Sequence, residues 1–457
     1  MAVRTSTSSF RKRPPRSSDL YSPFIAGVFE KSAGINTKLD ASIALTRISG
    51  DLNPGQKKAV RTAIENATSL VSGGAGTGKT YTVSCIVDIY LDADMTVVLA
   101  APTGKAAKRM EQATGMSAST IHRLLGYDGN VFQRGPDNPI DVDVIILDEV
   151  SMLDVPLCWH LFQAIDFSRT NLVLVGDHNQ LPPVGPGNIL RDLIQRKLVP
   201  TTILSEVVRQ AGILKENSIA ILSGRVPPNV EGTSTRKEWY VIDKFKEPGE
   251  ILKFILYLYE NVLHEKLGFD LVRDIQLLAP MKKGVLGVDN LNIELQRLLQ
   301  NKCFGYDVVP VRPNRRPKLH PNDKVIQNRN NYILDVMNGA VGYIKRYDSD
   351  NGVYHIEFDD GVRQFDNEAM KNISLAYSST VHKMQGSECE CVIAVVHKSQ
   401  SFMHHRNLFY TAVTRAKKTA IIIGDRWGIK TCAERAFSDK RKTFLSLEGF
   451  AGAIKNE

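Results

Sequence analysis

The 457-residue sequence has only six cysteines, Cys85, Cys158, Cys303, Cys389, Cys391 and Cys432, and no two of them form a CxxC pair or stand beside a histidine cluster. Neither a zinc ribbon nor a disulfide framework is written there, and a reducing, intracellular setting fits. Long hydrophobic runs are missing too. The best candidate, residues 251–263, is interrupted by Lys253, Glu260 and Asn261, and it falls short of the roughly 18 apolar residues that span a bilayer. The expectation is a soluble, cytoplasmic chain with no membrane partner. Acids are absent before Asp19, in a stretch rich in Ser, Arg and Pro. With too little apolar surface to build a core, residues 1–48 read as a disordered basic tail; a targeting signal is the competing reading of the same composition.

What remains is ordinary for a globular protein: 43% of residues are apolar and 23% charged, and the length suits two or three domains. The formal charge of +9 favours a polyanionic partner, although many basic proteins bind no nucleic acid. From about residue 50, short apolar runs (ATSLVSGG, MTVVLAAP, VDVIILDEV, NLVLVGD) alternate with helical segments. Continuous Val/Ile/Leu runs of this kind belong to strands buried on both faces of a parallel sheet. A second series is expected to open at TTIL, residues 201–204, and to resume with IQLLAP, CVIAVV and TAIIIGD. Between its parts, VGYIKRY, GVYHIEF and VRQF alternate about Asp, Asn and Gly turns, which predicts a small β-barrel-like insertion over about 302–371.

GGAGTGKT (Gly73, Gly74, Ala75, Gly76, Thr77, Gly78, Lys79, Thr80) fits G-x-x-x-x-G-K-[ST] between a strand and a helix. Backbone N–H groups of such a loop face phosphates, Lys79 reaches the β and γ oxygens, and Thr80 offers a hydroxyl to Mg²⁺. In IILDEV, Asp148 and Glu149 end a buried strand. Adjacent carboxylates there are costly unless a cation or base chemistry uses them, so Asp148 is assigned to Mg²⁺ and Glu149 to the attacking water. VGDHNQLPPVGPGN, residues 175–188, runs from a strand into a proline-stiffened loop. If that strand lies beside the Asp148 strand, Gln180 emerges where a γ-phosphate would sit and the loop acts as sensor and lever; the alternative is a surface turn whose prolines only restrict the unfolded chain.

These segments, with NPGQKKAV, APTGKAAKRM, STIHRLLGY, VVRQ, LLAPMKKGVLGVDNLN, STVHKMQGSE and YTAVTRAKK, occur in the order found in superfamily 1B DNA helicases, and the chain resembles their RecD-like and Dda-like members over about residues 50–427. The resemblance implies an α/β fold of two RecA-like P-loop motor domains, residues 49–200 and residues 201–301 with 372–450. It also implies a short wedge hairpin at about 126–140 and an SH3-like β-barrel inserted at 302–371. It implies an ATP- and Mg²⁺-dependent 5′ to 3′ helicase that moves on single-stranded DNA and opens junctions with duplex, in replication, recombination or repair. Residue by residue, Gln56 corresponds to the adenine reader, Gln180 to the γ-phosphate sensor, and Arg209 and Arg415 to arginines brought by the second motor domain. Glu388 matches the acid near the ribose. DNA contacts fall on Pro102, Thr103, His122, Thr380 and His382, although Thr103 is also an N-cap candidate.

Phe132, in GYDGNVFQRGPDNPIDVD, is the aromatic placed to stack on the junction base pair; packing of the hairpin on the motor domain is the alternative. Arg329 to Tyr332, RNNY, matches a family motif without a firm residue role. A monomeric motor with a single-strand-binding or replisome protein as partner is expected, in the host cytoplasm if the source is a phage. No long folded domain is expected ahead of the motor, which places any partner docking that larger relatives carry there in doubt. A translocase or RNA helicase of the same superfamily, and an ATP-gated DNA-binding module, are the competing functions. The lack of a Cys/His-rich zinc region favours DNA over RNA.

Overall fold

The computed structural model describes residues 25–29, 32, 34, 51–206, 212–229, 238–309 and 317–436. The first sheet comprises β1 (Thr68–Gly73), β2 (Val97–Ala101), β3 (Ala118–Thr120), β4 (Val144–Leu147), β5 (Asn171–Gly176) and β6 (Thr201–Leu204), in the order β3-β2-β4-β5-β1-β6. All its pairs are parallel, so each connection crosses over the sheet, mostly through helices. These are α1 (Pro54–Glu65), α2 (Lys79–Leu91), α3 (Gly104–Thr114), α4 (Ile121–Leu124), α5 (Val155–Gln163) and α6 (Ile189–Arg196). The run Val144-Ile145-Ile146-Leu147 shows why such strands are apolar throughout. Ile145 and Leu147 join a core with Leu70, Leu172 and Leu174 on one face. Val144 and Ile146 join another with Val71, Val173 and Val175 on the opposite face.

The stretch TTIL, expected to open the second series, is instead β6, the outer strand of the first sheet, paired to β1. Its burial alternates as at a sheet edge, with Ile203 47% exposed and Leu204 buried. Four residues do not specify which sheet they join; the partner strand does.

The chain continues through α7 (Gly212–Leu222), β7 (Trp239–Ile242), α8 (Pro248–Asn261), β8 (Ile275–Ala279) and α9 (Val288–Phe304). It then forms β9 (Lys324–Gln327), β10 (Val341–Asp348), β11 (Val353–Phe358), β12 (Gly361–Phe365) and β13 (Ile373–Leu375), an antiparallel sheet ordered β12-β11-β10-β9-β13. Val325, Ile344, Ile356, Phe358, Phe365 and Ile373 form its own small core. Gly342 is needed there, since a Cβ would fall 2.8 Å from both Ile356 and Phe358. The chain returns as β14 (Ser378–Thr380), β15 (Cys389–Val396), α10 (Arg406–Val413), β16 (Ala416–Gly424) and α11 (Arg426–Glu434), completing a second parallel sheet in the order β14-β8-β15-β16-β7. Among the described residues no helix is long and apolar enough to cross a membrane.

Candidate nucleotide cleft and nucleic-acid face

β1 ends at Gly73, and the loop that follows reaches α2 through Gly76 (φ 81°) and Gly78 (φ 77°), left-handed conformations that favour glycine. Gly73 is confined differently: a Cβ would lie 2.6 Å from Thr77 Oγ1 and 2.9 Å from Leu204 Cβ. Thr77 Oγ1 donates to the Gly74 carbonyl at 2.9 Å, and Lys79 Nζ turns back on the loop, donating to the carbonyls of Gly73 (2.6 Å) and Gly74 (3.0 Å). Since Gly78 gives no side-chain cap, the first N–H groups of α2 remain available to an anion, reinforced by the helix dipole. Gln56 braces this loop. It closes a capping box with Asn53 (2.8 and 3.0 Å) and donates Nε2 to the Thr77 carbonyl at 3.3 Å.

β4 and β5 are neighbours in parallel register, so Asp148, Glu149 and the loop after Gly176 emerge at the same sheet edge. Asp148 Oδ1 accepts the Glu149 N–H at 2.7 Å, and Glu149 takes a left-handed backbone (φ 52°) that aims it into the cleft wall. Burial raises the pKa of both carboxyls; the adjacent Asp148 charge raises Glu149 further, while Lys79 and Arg109 pull both back. Gln180 is 8% exposed, and among the described residues its Oε1 has no hydrogen-bond partner. A buried amide oxygen in that condition is costly, and it lines the same cleft as Lys79, Thr80, Asp148 and Glu149.

The second sheet supplies the opposite wall of this cleft of about 760 Å³. Arg415, 3% exposed, is held by the carbonyls of Thr411 (3.1 Å) and Ser387 (3.3 Å) and by Thr414 Oγ1 (3.3 Å). Glu388, also on the cleft wall, pairs with Arg109 of α3 at 2.7 Å. Arg209 lies outside the described residues. Sequence reasoning missed three participants. Arg109 bridges the two halves, and the Tyr410 hydroxyl accepts the Ala75 N–H (2.7 Å) and donates to buried Asp177 (2.9 Å). All three stood inside quoted motifs, but nothing in their local spacing signals a partner that is far away in the chain.

None of the residues expected on DNA is among those lining this cleft. Thr103 caps α3, accepting the Ala106 N–H at 3.3 Å. Pro102 precedes it. Thr103 Oγ1 lies 3.3 Å from where a Cβ on Gly386 would stand, which brings α3 to the segment carrying Thr380 and His382. Thr380 Oγ1 accepts the Lys383 N–H at 3.3 Å, beside the short turn of His382–Met384. Lys105 and Lys383 are both pushed down to about 8, first by burial and then by neighbouring lysines. His122 is part of an aromatic group, its ring 5.5 Å from Tyr127 and 5.8 Å from Phe132. Burial lowers its pKa. Phe132 sits 4.3 Å from His160 and 4.7 Å from Tyr127 and packs partly buried on the core. Within residues 126–140, where a hairpin is expected, the only pairing is an isolated bridge between Gly135 and Asn138. The tip residue Val131 is 59% exposed.

Comparison with known proteins accords with this geometry. Residues 56–186 match the AAA domain family model, and residues 375–423 match the UvrD-like helicase C-terminal domain. The chain is 33% identical over 368 residues to the ATP-dependent RecD2 DNA helicase of Deinococcus radiodurans, a match covering 80% of this chain and 48% of that protein. It is 27% identical over 417 residues to the RecBCD enzyme subunit RecD of Mycolicibacterium smegmatis, covering 83% of this chain and 72% of the relative. The chain therefore spans about half the length of the first relative. Among solved structures, Bacteroides Pif1 helicase in complex with ADP-AlF3 and single-stranded DNA superposes with a TM-score of 0.51 at 18% identity, covering 90% of this chain and 98% of that one. That likeness is one of fold. Over about four fifths of its length the chain is thus similar in sequence to RecD helicases, with the phosphate loop, paired acids and buried arginine gathered on one cleft.

Proposed function

We propose that this chain is an ATP-dependent DNA helicase, a monomeric motor that moves 5′ to 3′ along single-stranded DNA and separates duplex at the junction. The observation that carries the reading is the cleft itself: the unsatisfied amide oxygen of Gln180 from the first sheet and buried Arg415 from the second face the same space as Lys79 and Glu149. A site split in this way is completed only when its halves approach, which makes hydrolysis depend on their relative position.

In this reading the phosphate loop and the N-terminus of α2 bind the triphosphate, with Lys79 exchanging its carbonyl contacts for phosphate oxygens. Gln180 orients the attacking water against the γ-phosphate, and Glu149 takes the proton from that water. Arg415, and Arg209 by resemblance, spread the developing charge, a contribution that in other motors is worth roughly 10³- to 10⁵-fold in rate. The Thr80 hydroxyl and Asp148 carboxylate are hard oxygen donors that fit Mg²⁺, which supplies charge neutralisation to the phosphates when bound. Gln56, whose amide already steadies the loop, is the adenine-side contact, and Glu388 the ribose-side one.

Pro102, Thr103, His122, Thr380 and His382 form the track. Hydroxyls, imidazoles and a helix N-terminus suit phosphate oxygens and carry no base preference. Phe132 is the wedge, and the antiparallel sheet of residues 324–375 is an SH3-like module that steers the strand. Opening a pair costs on the order of 1.4 kcal/mol, and one aromatic returns roughly 1 to 3 kcal/mol by stacking.

The test measures ATP hydrolysis with and without single-stranded DNA for the wild type and Gln180→Ala, with strand displacement on 5′- and 3′-tailed duplexes in parallel. The expected result is strong stimulation that Gln180→Ala loses, and displacement from the 5′ tail only. Tight DNA binding without stimulated hydrolysis would leave an ATP-gated binding module instead.

A further inference from the structure

Helix α10 places Asn407, Tyr410 and Thr411 on one face, at spacings of three and four residues. All three hydrogen-bond to the loop that carries Gln180. Asn407 Nδ2 donates to the Asn179 carbonyl at 2.8 Å, the Tyr410 hydroxyl donates to Asp177 Oδ2 at 2.9 Å, and Thr411 Oγ1 accepts the Leu181 N–H at 3.1 Å. From the track side, Gln385 Nε2 donates to the Leu181 carbonyl at 2.9 Å. The proline-stiffened loop is thus clasped by the second motor domain on both flanks of Gln180.

Tyr410 does something the other three do not. Its hydroxyl also accepts the Ala75 N–H at 2.7 Å, and a Cβ on Gly74 would come within 3.1 Å of it. One oxygen therefore ties the phosphate loop, the sensor loop and the helix leading to Arg415. The ring is fully buried and Asp177 is 1% exposed, so solvent has little access to replace either bond. The other Asp177 oxygen already accepts the Asn179 N–H at 2.9 Å. Burial, and after it the Asp177 charge, hold the hydroxyl well above the usual tyrosine range and keep it a donor.

We propose that Tyr410 is a positioning residue for hydrolysis, its hydroxyl fixing the phosphate loop and the Gln180 loop in register across the domain interface so that both address the γ-phosphate together. This rests on the ATP-driven motor reading above. Tyr410 acts through Ala75 and Asp177 and touches no reacting atom, so its loss weakens alignment in the transition state more than binding of ATP.

The experiment is steady-state ATP hydrolysis by Tyr410→Phe, Asp177→Ala and the double variant, each as the full chain with a saturating single-stranded oligonucleotide. Tyr410→Phe keeps the ring's packing and removes only the hydroxyl. The expected result is a fall in stimulated kcat of roughly 10- to 100-fold with KM for ATP nearly unchanged. The double variant should lose clearly less than the product of the two single losses, because the two substitutions share the Tyr410–Asp177 bond. An unchanged stimulated kcat, a loss confined to KM, or multiplying losses in the double variant would overturn the role while leaving the motor standing. A wild type without DNA stimulation overturns both. If Tyr410→Phe lacks a cooperative thermal transition, Asp177→Asn, which keeps an acceptor for the hydroxyl, must retain more kcat than Asp177→Ala; equal loss overturns the proposal.

Discussion

The Tyr377 hydroxyl donates a 2.8 Å hydrogen bond to the carboxylate of Asp323 across the joint between the antiparallel insertion and the second parallel sheet. Three more donors converge on that buried carboxylate: Gln296 Nε2 (2.6 Å), Gln300 Nε2 (2.7 Å) and the His320 N–H (2.7 Å). Helix α9, the insertion and the segment leading into β14 are thereby fixed to one group. Asp323→Ala removes the acceptor that these four donors share and is expected to cost roughly 3 to 5 kcal/mol. The isosteric Asp323→Asn should also destabilise, since its amide nitrogen would meet two of those donors. Urea unfolding monitored by far-UV circular dichroism checks both; a change of less than about 1 kcal/mol in Asp323→Ala would show that the joint does not hold the insertion.

Beside this joint, Lys324 is buried and donates to the Ile275 carbonyl at 2.9 Å, and burial lowers its pKa from 10.5 to about 8. Between those two values the unfolded chain holds a proton that the folded chain has released, so stability rises with pH across the interval. At pH 7 both states are charged and the folded one bears the burial cost in full. Lys324→Met is therefore expected to be more stable at pH 7, by on the order of 2 to 3 kcal/mol, with the gain shrinking toward pH 10. Thermal unfolding of both proteins across that range measures the difference, and a gain that does not change with pH would rule out this origin.

Phe132 is half-buried among His122, Tyr127 and His160, so Phe132→Ala should combine a modest stability loss, about 1 to 3 kcal/mol, with a functional one. Single-stranded-DNA-stimulated hydrolysis should survive while strand displacement drops at least about 10-fold, a barrier change near 1.4 kcal/mol. Val131→Ala, at the exposed tip of the same loop, is the control for loop shape. Displacement unchanged in Phe132→Ala would leave the ring a packing residue.

Contiguous chemistry was legible in the sequence. The glycine loop, the paired acids Asp148 and Glu149, and the stiff loop after Gly176 each occupy a few adjacent residues, and the apolar strands around them announce a parallel sheet because both faces are covered. Their local spacing alone implied that Gln180 and Asp148 share an edge once β4 and β5 pair, as they do. Whatever depends on which distant segment arrives beside another was decided only by the tertiary structure. Residues 201–204 joined the first sheet since β1 offered them an open edge. Arg109 met Glu388, and Tyr410 met Ala75 and Asp177, across 335 and 233 positions of chain. Local pattern encodes which backbone a segment adopts; hydrogen-bond partners between segments are set by packing of the whole, and that is where the contacts joining the two walls of this cleft come from.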